Sequence, residues 1–413
     1  MRHDNNTLPV LLLTGYLGSG KTTLVNRILS NRRGIKFAVI VNDLGEVNID
    51  ASLIEKGGVV GKKDESLVAL QNGCICCTLK MDLVEQIDEI SSTGKFDYIV
   101  IEASGICEPA PIAQTICSLP ELSDRTGGPE VKLDCIVTVV DALRMQSEFS
   151  CGDALPLGNF DDDDLEKLII EQIEFCNIIL LNKASEVRPE ELGRIRSIIK
   201  ALQPKAEIIE CNFCDIDLDS ILDTGRFDFD QVATSAAWID EIEGAHEEED
   251  DDEEHGHHGH GEHEEHGHHA HGEHGHHHHH HDEGEAEEYG ISTFVYYRRD
   301  PFDINRFDHY VARKWDKSVI RSKGICYFSD EPDKCYLFEQ AGLQKSIKDA
   351  GLWYATMPAD ELGAMMLQDP KLAQDWDELY GDRMIKIVFI GQHMDKDAIC
   401  AALDECLSPI SRH

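Results

Sequence analysis

The residues Gly15-Tyr-Leu-Gly18-Ser19-Gly20-Lys21-Thr22 have the types and spacing to hold a chain of phosphates. Glycines at these positions let backbone N–H groups turn inward around phosphate oxygens. Lys21 brings a point charge toward the β- and γ-phosphates, and the Thr22 hydroxyl suits a Mg2+ ion. We take Gly15, Gly18, Ser19, Gly20, Lys21, Thr22 and Thr23 as nucleotide-binding, with Thr22 also a Mg2+ ligand. A second phosphoryl-transfer position is expected in Tyr98-Ile-Val-Ile-Glu102-Ala-Ser-Gly105. There an apolar run ends on a carboxylate that can meet Mg2+ or its water, and the Gly105 N–H can meet a γ-phosphate. Lys21 and Glu102 are the candidate catalytic residues; no general base stands out. Asn42-Asp43, after a further apolar run, reads equally as a site or as turn chemistry.

Asn182-Lys183-Ala-Ser185 follows the apolar run Asn177–Leu181 and is the expected base-side loop, with Asn182 and Lys183 binding nucleotide. GTPases usually read Asn-Lys-x-Asp here, the Asp accepting from guanine N1–H and N2–H. The Ser185 hydroxyl cannot make that charged two-point contact, although Glu186 could substitute with a shifted geometry. Guanine and adenine both stay open as the base.

Gly73-Cys74-Ile-Cys76-Cys77 is a second chemical signal. Three thiols within four residues can converge on one ion, and Zn2+ takes thiolates in a tetrahedral set, so Cys74, Cys76, Cys77 and one outside ligand complete a site. Copper(I), cobalt and nickel are alternatives to zinc. Glu46 is a candidate fourth ligand, an exposed surface Glu the plainer reading. The motif falls between the phosphate loop and Glu102, where a bound metal could sense a γ-phosphate. Cys211-Asn-Phe-Cys214 is a further Cys-x-x-Cys, without a partner pair nearby in sequence; we read it as structural or base-adjacent.

These groups need a scaffold, and apolar periodicity supplies it. Strands are expected at Pro9–Leu13, Phe37–Val41, Tyr98–Ile101, Cys135–Val140, Asn177–Leu181 and Ile208–Glu210. Helical spacing covers Thr22–Leu29, Leu79–Ile90, Pro111–Leu119, Asp164–Glu174 and Pro189–Ala201. Alternating strands and helices imply right-handed crossovers and a mostly parallel sheet, an α/β fold of the P-loop NTPase type. Residues 1–235 form this expected first domain. Residues 236–289 read as a disordered acidic, His-rich linker: Asp240–Glu288 is almost wholly Glu, Asp, His and Gly and cannot bury enough apolar surface to order itself. Residues 290–413 form a smaller α+β domain. Its expected strands are Ile291–Tyr297, Val319–Phe328, Lys334–Phe338 and Met384–Ile390, pairing antiparallel at least in part, with helices at Asp303–Lys314 and Lys396–Leu407.

Composition excludes some functions. The net charge of −41 leaves no basic face for nucleic acid. About half of the acidic excess lies in Asp240–Glu288. Within it, His246–His281 holds 17 of the 21 histidines, six of them consecutive, and is suited to several weak, exchanging metal sites. No apolar run of 18 residues exists, so no membrane helix is expected. Cys135, Cys176 and Cys326 sit in apolar runs as small hydrophobes, which with the polar N-terminus points to a reduced, cytoplasmic protein.

The combined motifs resemble the CobW family of P-loop GTPases, relatives of the HypB and UreG nickel chaperones. The matching residues are Gly15–Thr22, Asn42-Asp-Leu-Gly-Glu46, Gly73-Cys-Ile-Cys-Cys77, Glu102-Ala-Ser-Gly105, Asn182-Lys183 and, in the C-terminal part, Arg321-Ser-Lys-Gly324. Ser185 departs from the family's usual Asp. The resemblance implies slow GTP hydrolysis with Mg2+, coupled to binding of Zn2+, or in some members cobalt, and its transfer to a client metalloprotein. Homodimerisation is compatible with it. Two other readings stay open: a nucleotide-regulated zinc buffer or store, favoured by the histidine tract, and a P-loop ATPase of relaxed base choice, favoured by Ser185.

Overall fold

Eight residues rich in Val and Leu, Thr7–Thr14, form β1, a strand buried along nearly all its length because both faces of its sheet are covered. The computed structural model describes residues 7–41, 67–69, 80–122, 129–148, 162–228, 289–368, 372–373 and 376–409. Parallel to β1 run β2 (Phe37–Val41), β3 (Leu67–Ala69), β4 (Tyr98–Glu102), β5 (Glu130–Asp141), β6 (Ile178–Asn182) and β7 (Glu207–Glu210), in the order β3-β2-β4-β1-β5-β6-β7. Helices fill the crossovers: α1 (Lys21–Leu29), α2 (Lys80–Thr93), α3 (Pro109–Cys117), the single turn α4 (Leu119–Leu122), α5 (Ala142–Glu148), α6 (Asp162–Glu174) and α7 (Pro189–Leu202). Every described sheet pairing here is parallel, which sharpens the expected "mostly parallel" sheet.

The second sheet is antiparallel throughout, in the order β11-β10-β9-β12-β8. Its strands are β8 (Ile291–Arg298), β9 (Val319–Phe328), β10 (Glu331–Ala341), β11 (Gln344–Leu352) and β12 (Ile385–Gln392). Its helices are α8 (Ile304–Arg313), α9 (Ala359–Gln368) and α10 (Lys396–Asp404). Asp303 caps α8 by accepting from the N–H groups of Asn305 and Arg306. Lys396–Leu407, expected as one helix, ends at Asp404. Strand β11, helix α9 and the short β3 were not foreseen.

Alternation along β12 shows the layering. Val388 and Ile390 join a core with helices α2, α3, α6 and α7 of the first sheet, while Ile387 and Phe389 join a second core with α8 and α10. Leu24, Val25 and Ile28 of α1 cover the other face of the first sheet. The molecule is thus stacked as α1, parallel sheet, shared helix layer, antiparallel sheet, outer helices. No helix among the described residues is long and apolar enough to cross a membrane. The described cysteines are free thiols, with Cys135, Cys176 and Cys326 buried.

Candidate nucleotide site

Strands β1, β4, β5 and β6 all run the same way, so Thr14, Glu102, Asp141 and Asn182 end at one edge of the sheet, the edge at which open α/β sheets present their ligand crevice. The loop from Gly15 to Gly20 leaves β1 there and enters α1 at Lys21, with Gly20 at the N-cap and no side chain capping the helix. A helix start of this kind points its first-turn N–H groups toward an anion seated in the loop. Gly20 has φ 121°, and a Cβ on it would strike Asn182 Nδ2 and lie 3.1 Å from Cys214 Sγ. Only glycine fits this corner.

Lys21 is buried, and its Nζ donates to the carbonyls of Gly15 at 2.7 Å and Tyr16 at 3.2 Å. The ammonium is thereby held across the mouth of the loop. Ser19 Oγ is buried and has no hydrogen-bond partner among the described residues. A polar atom left so inside a ring of glycines fits a phosphate oxygen as its missing partner. Thr22 Oγ1 donates to Glu102 Oε1 at 3.1 Å, and Glu102 is 1% exposed. Two oxygens brought together at the start of α1 and the end of β4 are the donor set a hard cation takes, which suits Mg2+ beside phosphates. Gly105 lies against the phosphate loop; a Cβ there would sit 2.7 Å from the Leu17 backbone nitrogen.

Asn182, 3% exposed, ties the loop to the base side: its Nδ2 donates to Ser19 O at 2.7 Å, and its Oδ1 accepts from the Cys214 N–H at 3.1 Å. Lys183 takes a left-handed φ of 60° and reaches Asp141 Oδ2 at 2.5 Å. The Ser185 hydroxyl and N–H both donate to Asn212 Oδ1, at 2.8 and 2.9 Å. The residue standing where an Asp would be expected is therefore engaged by the adjoining loop. That loop is Cys211–Cys214, read from the sequence as structural or base-adjacent. Cys214 Sγ lies 3.4 Å from Gly20 O, and Phe213 and Cys214 both have positive φ, 54° and 52°. The hydrogen bond between the two thiols holds Cys211 below the usual thiol range, and the same bond, with burial, pushes Cys214 up.

The structure thus gathers Gly15, Gly18, Ser19, Gly20, Lys21, Thr22, Glu102, Gly105, Asn182 and Lys183 at one sheet edge; Thr23 follows Thr22 in the first turn of α1. Asn42, Asp43, Glu46, Cys74, Cys76 and Cys77 lie outside the described residues. Strand β3, ending at Ala69, terminates at this same edge, five residues before Cys74. Among the described residues, no three His, Cys, Asp or Glu side chains are grouped to hold a metal ion. Sequence reasoning missed Asp141, Asn212, Gln172 and Arg144, whose guanidinium lies 4.5 Å over the Tyr16 ring. Asp141, Gln172 and Arg144 line the cleft beside Tyr16, Leu17 and Ser19. None carries a local motif; Asp141, at the end of an apolar strand beside the base loop, offered the one readable signal.

Two family models match the chain: the CobW/HypB/UreG nucleotide-binding domain over residues 9–210 and the cobalamin synthesis protein cobW C-terminal domain over residues 291–407. The zinc-regulated GTPase metalloprotein activator 1 of Dictyostelium discoideum is 34% identical over 420 residues, which cover 97% of this chain and 80% of that protein. A protein of the same name from Schizosaccharomyces pombe is 36% identical over 232 residues, 54% of this chain and 51% of that one. The zinc chaperone YjiA of Escherichia coli is 30% identical over 239 residues, 56% of this chain and 65% of YjiA. The matches to these last two span only half to two thirds of each relative.

Proposed function

The chain belongs to the CobW/HypB/UreG family, and on that premise we propose that it is a GTP hydrolase that binds Zn2+ at Cys74, Cys76 and Cys77 and delivers it to a client metalloprotein. The observation that carries this reading is the meeting of Thr22 and Glu102 beneath the loop of Lys21, with a three-thiol motif entering the chain between β3 and α2. Relatives named as zinc-regulated GTPases and zinc chaperones support the pairing of nucleotide with zinc.

In this mechanism Lys21 exchanges the Gly15 and Tyr16 carbonyls for β- and γ-phosphate oxygens. Ser19 Oγ and the first N–H groups of α1 complete the cradle. Thr22 and Glu102 would hold Mg2+, which would neutralise charge on the β- and γ-phosphates. Gly105 offers its N–H toward the γ-phosphate and so reports its presence. Asn182 fixes the loop against the base side, and Lys183, held by Asp141, lies along the base. Hydrolysis, by removing the γ-phosphate contact, is proposed to weaken the hold on the thiolate-bound cargo.

Zinc titration of the full chain with a non-hydrolysable GTP analogue, with GDP and without nucleotide tests the coupling, because linkage between two ligands is reciprocal. The expected result is a nucleotide-dependent zinc affinity that Cys76→Ser abolishes. Equal zinc affinity in all three states would rule it out. Ser185 favours a second reading on one point, base choice, since its hydroxyl is engaged by Asn212. Competition of ATP against labelled GTP decides it: comparable affinities would make the protein a nucleotide hydrolase without strict guanine preference.

A further inference from the structure

Gln172 is 1% exposed and belongs to the last turn of α6, yet its side chain faces away from the helix toward the loop that follows β4. Its Nε2 donates to Gly105 O at 3.4 Å and to Cys107 O at 3.2 Å. Both bonds are at the long end of the hydrogen-bond range, so the amide straddles two carbonyls without gripping either. The Gln172 carbonyl accepts from Thr138 Oγ1 at 2.9 Å, and Thr138 Oγ1 meets Thr14 Oγ1 at 2.7 Å, one residue before Gly15. One residue of α6 therefore touches the Gly105 loop directly and the phosphate loop through two hydroxyls.

Two positions later on the same turn, Glu174 points the other way. Residues two apart on a helix are separated by about 200°, so Gln172 and Glu174 address opposite neighbours. Glu174 receives both arms of Arg321, Nε to Oε1 at 2.7 Å and Nη2 to Oε2 at 3.0 Å. Arg321 stands on β9 in register with Ala341 and Ile390, and its side chain is 4% exposed. Its Nη1 donates to Gln340 O at 3.1 Å, and Glu339 lies 3.8 Å from Nη2. A buried, two-armed guanidinium–carboxylate pair fixes angle as well as distance. The antiparallel sheet therefore holds the end of the helix that holds the Gly105 loop.

We infer that Gln172 is a positioning residue for the Gly105 loop, and that the Arg321–Glu174 pair makes its placement answer to the C-terminal sheet. The inference rests on the reading of Gly105 as the γ-phosphate contact. Movement of Gly105 toward a phosphate lengthens the 3.4 Å bond beyond hydrogen-bonding range and leaves Gln172 on Cys107 alone. On this inference the helix end has a second arrangement, reached when Gly105 moves, and the C-terminal sheet, held to Glu174, favours one of the two. A rigid helix between two sites with two arrangements is the physical requirement for coupling. Whatever the C-terminal sheet binds then alters the preference for triphosphate over diphosphate, and the reverse follows by linkage.

The test uses the full chain and compares affinities for a non-hydrolysable GTP analogue and for GDP. Gln172→Leu keeps the volume of the side chain and removes the donor; Glu174→Gln keeps its shape and removes the charge. Each is expected to lower the triphosphate-to-diphosphate affinity ratio by about 2- to 30-fold, the range found for residues that couple distant sites, with GDP affinity unchanged. Arg321→Gln should do the same; if that buried variant fails to fold, Glu174→Gln carries the ion-pair arm. A wild-type ratio in Gln172→Leu and Glu174→Gln overturns the inference, as does an equal loss of affinity for both nucleotides, which marks the residues as merely structural. A wild-type chain that does not distinguish the two nucleotides overturns the Gly105 reading and the inference with it. The two failures are thereby told apart.

Discussion

Asn182 concentrates more of the site's geometry than any other single side chain. It is buried, its amide donates to Ser19 O, and its carbonyl accepts from the Cys214 N–H. Asn182→Ala leaves a buried carbonyl and a buried N–H without partners, each costing about 1–3 kcal/mol. The expected outcome is a lower urea midpoint with an unchanged slope, and nucleotide affinity reduced at least tenfold because the phosphate loop loses its anchor. Nucleotide binding equal to wild type would show that the loop holds its shape without Asn182. Asn182→Asp should bind nucleotide more weakly still than the alanine variant, since it turns an acceptor toward the Ser19 carbonyl. Residues of this kind were legible in the sequence where they fall in a motif: Lys21, Thr22 and Glu102 follow strand–loop signals that point to phosphate chemistry, and Asn182 one that points to the base side. Gln172 and Asn212 were not, because nothing local distinguishes a glutamine inside an amphipathic helix, or an asparagine between two cysteines, from a solvated one. Their partners come from 67 and 27 residues away.

At the scale of elements, α6 combines a part-buried carboxyl, Glu171, with the ion-paired Glu174. It is pressed between two sheets and sets acidic residues against them. Burial, first of all, raises the Glu171 carboxyl above its ordinary 4.5, with Glu108 and Glu174 adding to the rise and Lys167 and Arg321 opposing it. A carboxylate whose folded value is raised binds its proton more tightly in the native state. Its contribution to stability is therefore most favourable at low pH and declines as pH rises through the interval between the unfolded and the folded value. Glu171→Gln should raise the thermal midpoint at pH 7.5, and that gain should vanish below about pH 4, where both states of the wild type are protonated. A variant less stable than wild type at pH 7.5 would mean that the Lys167 pair, at 3.6 Å, outweighs burial. Burial also explains which elements could be foreseen. β1, β4, β5 and β6 are covered on both faces and write continuous apolar runs into the sequence. β11, Gln344–Leu352, is mostly exposed and lacks alternation, so only its ladder to β10 reveals it. β3 has three residues, too few for any period. Hydrophobic periodicity reports which face is covered and says little about a strand held by backbone bonds at an open edge.

At the scale of the whole molecule, one hydrophobic core runs from Leu12 of the parallel sheet through the shared helices to Val388 and Ile390 of the antiparallel sheet. An Arg321–Glu174 pair and an Arg194–Gln392 hydrogen bond at 3.3 Å reinforce it. The acidic, histidine-rich stretch bears on a different question, delivery against storage. His246–His281 carries 17 of 21 histidines and 12 acidic residues, a composition we propose to draw cations into several weak imidazole sites. The proposed zinc site at Cys74, Cys76 and Cys77 differs in its chemistry, three thiolates suiting one tight tetrahedral ion. Deleting residues 246–281 should lower the number of zinc ions bound per chain while leaving the thiol site's affinity and its response to a GTP analogue intact. The measurement is a competitive zinc titration against a chromophoric chelator, run with and without nucleotide on both chains. If the deletion removes the nucleotide response along with the weak sites, the histidine tract is the working metal site and the protein is a regulated store. If the response survives at full size, the tract is an antechamber that raises local zinc concentration, and delivery rests on the thiols.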